Sequence, residues 1–342
     1  MNPRERVLAA MELQQTDRTP RDFWAEDATL SQLLSYTGST DTETLLRQMG
    51  VDIRHTTAGM PPERWVQGAY QNAWGERYRY EPTPWGPARS ALPGALSTAR
   101  SFSDLEQFRW PSVDELDFSD LSAQCEAWSD YAIVYGFADI WQRPGLVRGW
   151  EGMFLDMVDR PEWTHYLCRT FTRFFKEEYT RAAEISHGRI DLFLVLSDLG
   201  GQHGPLISRT MFREFVAPYL KEMADTIHSL GAKVLYHSCG NIRAFVPDLV
   251  DLGVDVLDPI QPTGPEMEPE SLASEWGGRI CFHGGIDVQH VLPHGTPEEV
   301  RAQVRRYCEV LGSRGGYILA PAHLFQPDIP PENILAVYAD AP

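Results

Sequence analysis

The feature that most constrains this chain is a beat. Short apolar or β-branched runs recur along it, each followed by a longer stretch with helical spacing. The runs fall near 20–24 (PRDFW), 51–54 (VDIR), 131–136 (YAIVYG), 191–197 (DLFLVLS), 233–237 (KVLYH), 254–258 (VDVLD), 279–283 (RICFH) and 316–320 (GYILA). Helix-like spacing fills 209–230, 242–252 and 297–311 between them. Strands separated by helices pair in parallel, with the helices covering the sheet. Eight such repeats predict an α/β fold of the (β/α)8 TIM-barrel kind, one domain over residues 1–342. The alternative is an open doubly wound sheet, but no glycine-rich dinucleotide fingerprint follows the first run.

Residues 56–130 break the beat. They are too long for a simple crossover, and "NAWGERYRYEPTPWG" alternates aromatics with Gly and Pro, as a hairpin-like excursion does. An aromatic-rich insertion after the second strand stands at the C-terminal face of a barrel, where active sites are built. Two readings stay open for it: a lid or wall over the site that uses Trp65, Trp74 and Trp85, or a segment that only packs against a neighbour.

Composition narrows the function classes. The 342 residues are 43% hydrophobic and 11% aromatic, enough to bury a sizeable core. A net charge of −18 supplies no basic surface for nucleic acid or for an anionic membrane. The cysteines, Cys125, Cys168, Cys239, Cys281 and Cys308, are odd in number and scattered, so no disulfide framework is expected. "MNPRERVLAAMELQQ" reads as an amphipathic charged helix rather than a signal peptide, and a reducing cytoplasm is the expected setting.

Barrel chemistry gathers at the C-terminal ends of strands. There the chain places Arg54 and His55, Asp139, Asp198, His237 and Cys239, Gln261, His283, Asp287, Gln289 and His323. In "YHSCG" the residues i and i+2 of an extended backbone point the same way, so His237 and Cys239 can reach one ion. Zinc accepts imidazole nitrogen and thiolate sulfur, with three protein ligands and one open position in catalytic sites. The competing reading is a buried cysteine packed beside a hydrogen-bonded histidine. For a third ligand, His283 and His323 both end strands, and His323 faces His237 across the mouth. Cys281 lies inside a strand, and Cys125, Cys168 and Cys308 fall in helical patterns, so these four read as core. In "HGGID" the paired glycines allow close backbone approach to a ligand, with Asp287 and Gln289 projecting over the mouth. A tight turn capped by Asp287 fits equally well.

Taken together, "RERVLAAMELQQTDRTP", "KVLYHSCGNI", "GVDVLDPIQP", "FHGGIDVQHVLPHGTPEEV" and "GGYILAPAHLFQPDIPPENI" resemble the uroporphyrinogen decarboxylase superfamily. The resemblance covers most of the chain and is weakest over 56–130. It implies a (β/α)8 barrel with its site at the C-terminal mouth, and two possible chemistries. The decarboxylases of that superfamily carry an arginine-rich RQAGRYLPEYR signature that grips propionates. Here the corresponding stretch is "RDFWAEDATLSQLLSYTG", with Arg21 alone, and Arg54, Arg143 and Arg148 elsewhere. The zinc methyltransferases carry His-x-Cys and a distant Cys. The first two match His237 and Cys239, and His323 stands in place of the third.

The resemblance therefore implies a zinc-dependent enzyme nearer the methyltransferase branch, with His237, Cys239 and His323 on the metal. Replacing a thiolate by an imidazole leaves a more positive centre, suited to an oxygen ligand, a carboxylate or a less activated thiolate. Asp198, Asp287 and His323 are the expected acid/base or orienting groups. Arg54, Asp139, Gln261, His283 and Gln289 are the expected substrate contacts. A corrinoid would come from a partner protein or as a free ligand, because no Asp-x-His-x-x-Gly cobalamin-binding run is present. The substrate is a small molecule, and the chain is expected as a monomer or homodimer. The alternatives are a metal-assisted decarboxylase or lyase acting on a small carboxylate or a tetrapyrrole, and a barrel that only binds a corrinoid or tetrapyrrole.

Overall fold

The computed structural model of the chain describes residues 1–339. The first strand, β1 (Ile53–Thr56), is followed by four short ones: β2 (Arg64–Val66), β3 (Ala69–Gln71), β4 (Arg77–Thr83) and β5 (Gly86–Leu92). Then come β6 (Ala132–Asp139), β7 (Leu192–Leu196), β8 (Lys233–His237), β9 (Val256–Asp258), β10 (Cys281–His283) and β11 (Tyr317–Ile318). Seven of these form one parallel sheet in the order β1-β6-β7-β8-β9-β10-β11, with helices between successive strands. This is the curled α/β sheet of a TIM-barrel-like fold.

The period-2 pattern of each strand sorts its residues onto two cores. One set, Ile53, Val134, Leu192, Leu194, Leu235, Val256, Cys281 and Ile318, packs together inside the curl. Val7, Ala10 and Met11 of the helix Pro3–Met11 close that inner core from below. The alternate residues, among them Ile133, Phe193, Tyr236, Leu257 and Phe282, face outward into a larger core shared with the helices. Cys125, Cys168 and Cys308 belong to this outer core and Cys281 to the inner one.

The sheet departs from expectation at its first position. Residues 20–25 are not a strand; they make only isolated parallel bridges, Arg21 to Leu319 and Ala25 to Phe325. Pro20 has no N–H to offer a ladder. The segment nevertheless joins the two sheet edges. Asp22 N donates to Leu319 O (2.9 Å), Leu319 N to Pro20 O (2.8 Å), and Asp52 N to Arg21 O (2.8 Å). Asp52, fully buried before β1, fixes this join. It accepts from Arg6 Nη1 (2.6 Å), Arg18 Nη1 (2.7 Å) and the backbone N–H of Arg21 (2.9 Å).

Strands β2 to β5 build a separate four-stranded antiparallel sheet. Its aromatics stack across strands, with Trp65 against Tyr70 at 4.9 Å and Tyr70 against Tyr78 at 6.0 Å between ring centroids. Trp74 does not shield a site: it is buried against Phe171 (4.7 Å) and Phe174 (4.4 Å) of the long helix Pro161–Ile185. Trp65 and Trp85 are exposed. The helix expected over 209–230 is interrupted: it is two helices, Arg209–Phe215 and Ala217–Ser229, with Pro218 in the first turn of the second. Among the described residues, no helix is long and apolar enough to cross a membrane.

Removing the Asp52 carboxylate would leave two guanidinium groups facing a buried void. Asp52→Ala should lower the unfolding free energy by about 3–5 kcal/mol in denaturant titrations. A change below about 1 kcal/mol would show that the ring is closed by other contacts.

Candidate metal centre

His237 is the last residue of β8, and the chain turns immediately after it. Gly240 makes the turn with φ +81°, and a Cβ there would lie 2.4 Å from the Gly200 backbone, so only glycine fits. The loop is tied on both sides. Ser238 Oγ accepts from Leu199 N (3.0 Å), Cys239 N donates to Asp198 Oδ1 (2.9 Å), and Gly240 N donates to Gln261 Oε1 (2.7 Å). Cys239 Sγ thereby comes to 3.4 Å from His237 Nε2. His323 arrives from the segment after β11, where Ala322 N donates to Ile286 O (2.8 Å). One ligand atom from each of His237, Cys239 and His323 lies within 4.8 Å of the others, a set of three donors able to hold an ion.

Electrostatics suit the set to a cation. Burial pushes the Cys239 thiol up, but hydrogen bonds with His237 and His323 bring it below its ordinary value. The same contact with Cys239 raises His323. Burial opposes charge on His237, yet the Asp258 carboxylate raises it well above the usual histidine range.

Behind His237 runs a buried chain of alternating carboxylates and imidazoles. His237 Nδ1 meets Asp258 Oδ2 (2.5 Å), and Asp258 Oδ1 meets His283 Nδ1 (2.6 Å). His283 Nε2 then meets Asp22 Oδ2 (3.0 Å), whose Oδ1 meets His55 Nε2 (2.8 Å). An ionised carboxylate only accepts hydrogen bonds, so a ring with a carboxylate at each nitrogen must donate from both. His283 is accordingly pushed up to about 9 by Asp258 and Asp22, against the effect of burial. Burial opposes ionisation of Asp22 and Asp258 too, but their histidine partners hold both far below the usual carboxylate range. Trp24 lies nearly parallel to the His237 ring, 6.1 Å between centroids, and meets His55 edge-on at 4.9 Å.

Two cavities flank the cluster. One of about 250 Å³ touches Cys239 and His323 and is lined by Gln261, Asp287 and Gln289. The other, about 540 Å³ and largely apolar, is lined by Trp24, His55, Trp128, Phe137 and Leu324.

The residues expected at the site divide by what their polar atoms already do. Asp198 stands at the cluster, 3.8 Å from His237 Nε2, and accepts from Cys239 N and from Gln142 Nε2 (2.9 Å). Asp287 lines the smaller cavity, yet its Oδ1 caps a turn through Gln289 N (2.7 Å) and its Oδ2 meets His290 Nδ1 (3.2 Å). His283 has both nitrogens occupied by the carboxylates of Asp258 and Asp22, the first of which it shares with His237. Arg54 borders the larger cavity, but its donors go to Glu43 (2.8 Å), Val51 O and Ile53 O, and its guanidinium lies 3.8 Å over the Tyr131 ring. It is not a free anion anchor. Asp139, at the end of β6, caps the helix Gln142–Arg148 by accepting from Gln142 N (2.7 Å).

Asp22, Trp24 and Asp258 were missing from the expected set. Asp258 ends β9 and so satisfies the rule that marked its neighbours, but "VDVLD" alone does not say which aspartate faces the interior. Asp22 and Trp24 sit in the segment that only bridges the sheet edges.

Burial pushes Asp139 up to about 7, with Arg143 pulling the other way. A carboxyl raised in the folded state gives up protons on unfolding, so its contribution to stability is full below about pH 4 and is lost by about pH 7. Asp139→Asn keeps the capping oxygen and removes the titration. Its stability relative to the parent should rise by on the order of a few kcal/mol between about pH 4 and pH 7.5. Parallel stability–pH curves from urea unfolding would refute this.

Comparison with known proteins places these elements. A family model described as uroporphyrinogen decarboxylase (URO-D) matches residues 145–340, the stretch that carries Asp198, His237, Cys239, Asp258, His283 and His323. The chain is 22% identical over 185 residues to a uroporphyrinogen decarboxylase of Chlorobium luteolum, covering 52% of this chain and 48% of that one. It is 27% identical over 135 residues to the methylcobamide:CoM methyltransferase MtaA of Methanosarcina barkeri, covering 39% and 37%. It thus spans about half the length, or less, of these curated relatives. A solved methyltransferase from Methanosarcina mazei superposes with a TM-score of 0.68 at 16% identity, over 99% of this chain and 98% of the other, which shows a shared fold. With more than half of its length matched by the family model, the chain belongs to the uroporphyrinogen decarboxylase family.

Proposed function

We propose that this chain is a zinc-dependent, methyltransferase-like enzyme that moves a methyl group between a small substrate or corrinoid carrier and an acceptor held at the metal. The observation that carries the reading is the convergence of His237, Cys239 and His323, with the far nitrogen of His237 on a buried carboxylate. A metal-binding histidine characteristically carries such a carboxylate behind it. The depressed Cys239 thiol and the spacing of the three donor atoms fit zinc. When bound, zinc supplies Lewis acidity that lowers the pKa of an acceptor thiol or alcohol.

The protein's own groups do the positioning. Asp258 accepts the proton on His237 Nδ1, which leaves Nε2, on the Cys239 side, as the atom that would meet a metal. Asp198 and Gln261 hold the Cys239–Gly240 backbone. The cavity bordered by Cys239 and His323 receives the acceptor, and Asp287 forms part of its wall. The corrinoid comes from a partner protein or as a free ligand, in line with the methylcobamide in the name of the Methanosarcina barkeri relative.

The decarboxylase named among the relatives acts on a tetrapyrrole rich in carboxylates. The three arginines that lie outside the stretch corresponding to the decarboxylase signature are paired already, Arg54 with Glu43, Arg143 with Glu76 and Arg148 with Asp156. That pairing favours methyl transfer over decarboxylation.

Purified protein should contain stoichiometric zinc by elemental analysis, and should pass methyl groups from a methylated corrinoid to a thiol. His237→Ala and Cys239→Ala should abolish both. Zinc near zero, or full activity in those variants, refutes the reading. Carbon dioxide release without any corrinoid would establish the lyase alternative in its place.

Asp258→Asn tests the support behind the metal. It should weaken zinc affinity by about 10–100-fold in competition with a chelating dye, while the far-ultraviolet circular dichroism stays that of the parent.

A further inference from the structure

The cavity over Cys239 and His323 has a chemistry of its own. Four glutamines line it, Gln202, Gln261, Gln289 and Gln326, and among the described residues around it there is no lysine or arginine. Its one carboxylate is Asp287, and Asp198 lies close by on the Cys239 backbone. A carboxamide offers an acceptor oxygen and two donor hydrogens and carries no charge. Gln261 is already oriented: its Oε1 accepts from Gly240 N (2.7 Å), and its Nε2 reaches Gln202 Oε1 (3.2 Å) and Thr263 Oγ1 (3.4 Å). Gln202, Gln289 and Gln326 are exposed, with side chains available to a ligand.

An anionic tail lying among the glutamines would lose water and meet no lysine or arginine to replace it. It would also approach Asp287, in a chain whose net charge is −18. A hydroxyl or amide group would meet donors and acceptors on the carboxamides of Gln202, Gln261, Gln289 and Gln326. We propose that this cavity selects an uncharged ligand bearing hydroxyl or amide groups, with its reactive atom at Cys239 and His323 and its tail among the glutamines. The inference rests on the metal reading above and adds the substrate class to it.

Three thiols that differ only in their tails test it: 2-mercaptoethanol, 2-mercaptoethanesulfonate and 2-aminoethanethiol. Each is titrated calorimetrically into protein whose zinc content has been measured. The neutral thiol should bind about tenfold tighter than the sulfonate. Gln289→Arg and Gln326→Arg alter exposed side chains, so folding is spared, and each should shift the preference toward the sulfonate. Sulfonate binding as tight as that of the neutral thiol in the parent protein overturns the inference, as does tightest binding of the ammonium thiol. Protein without zinc takes down the metal reading and this inference together. Zinc-loaded protein with the wrong order of affinities takes down this inference alone.

Discussion

Asp258 is the residue on which the site depends. It ends β9, between the strands that end in His237 and His283, and each of its oxygens holds one of those rings. Parallel neighbours share a register, here His237 against Asp258, so their last side chains enter the same layer at the strand ends. A carboxylate buried this deeply is tolerable only because both partners are in place, and removing one partner of such a pair characteristically costs about 3–5 kcal/mol. The same bond that satisfies the buried charge thus sets the direction of His237 Nε2. The direction in which His237 presents Nε2 to Cys239 is a by-product of an electrostatic necessity.

Ring closure and the site are also one problem. Asp22 lies on the segment that joins β11 to β1, and its carboxylate meets both His283 and His55. Tyr338, in the helix Pro331–Ala339, donates its hydroxyl to Asp22 O (2.7 Å). Residues from both ends of the described chain therefore meet at Asp22, the C-terminal helix holding its backbone and the histidines its carboxylate. Asp52 anchors the neighbouring backbone through Arg6 and Arg18, so a fault in that anchor would be felt along the histidine chain.

How much of this could be read in advance follows from what each signal measures. Apolar runs report burial, and they located the strands of the parallel sheet near their observed places. The strand-end rule reports position, and it picked out His237, Cys239, His323, His283 and Asp198, which the fold brings close together. Neither reports direction. Arg54 ends no less suggestively than His55, yet its side chain turns to Glu43 while His55 turns to Asp22. Asp258 looked like any acidic residue before a proline, because its importance lies in residues 21 and 25 positions away in sequence. Trp74 shared its motif with exposed aromatics, and only the long helix beneath it makes it core. Contacts between distant segments settle such cases, and local pattern does not contain them.

The buried network also changes what His323 means. In a His/Cys/His set the ligands carry one less negative charge than in a set with a second thiolate, which suggests a strongly acidic centre. His283 is held as an imidazolium between two ionised carboxylates, so Asp22, His283 and Asp258 together keep a net negative charge behind His237. That charge sits one hydrogen bond from the ligand atom set, in surroundings where charges are weakly screened. On a bound metal it would return part of the electron density that an imidazole in place of a thiolate withholds. On the metal reading proposed above, the site would be better matched to a thiol acceptor than the three donors alone suggest, and Asp258 with its neighbours would belong to the electronic definition of the centre as much as to its geometry.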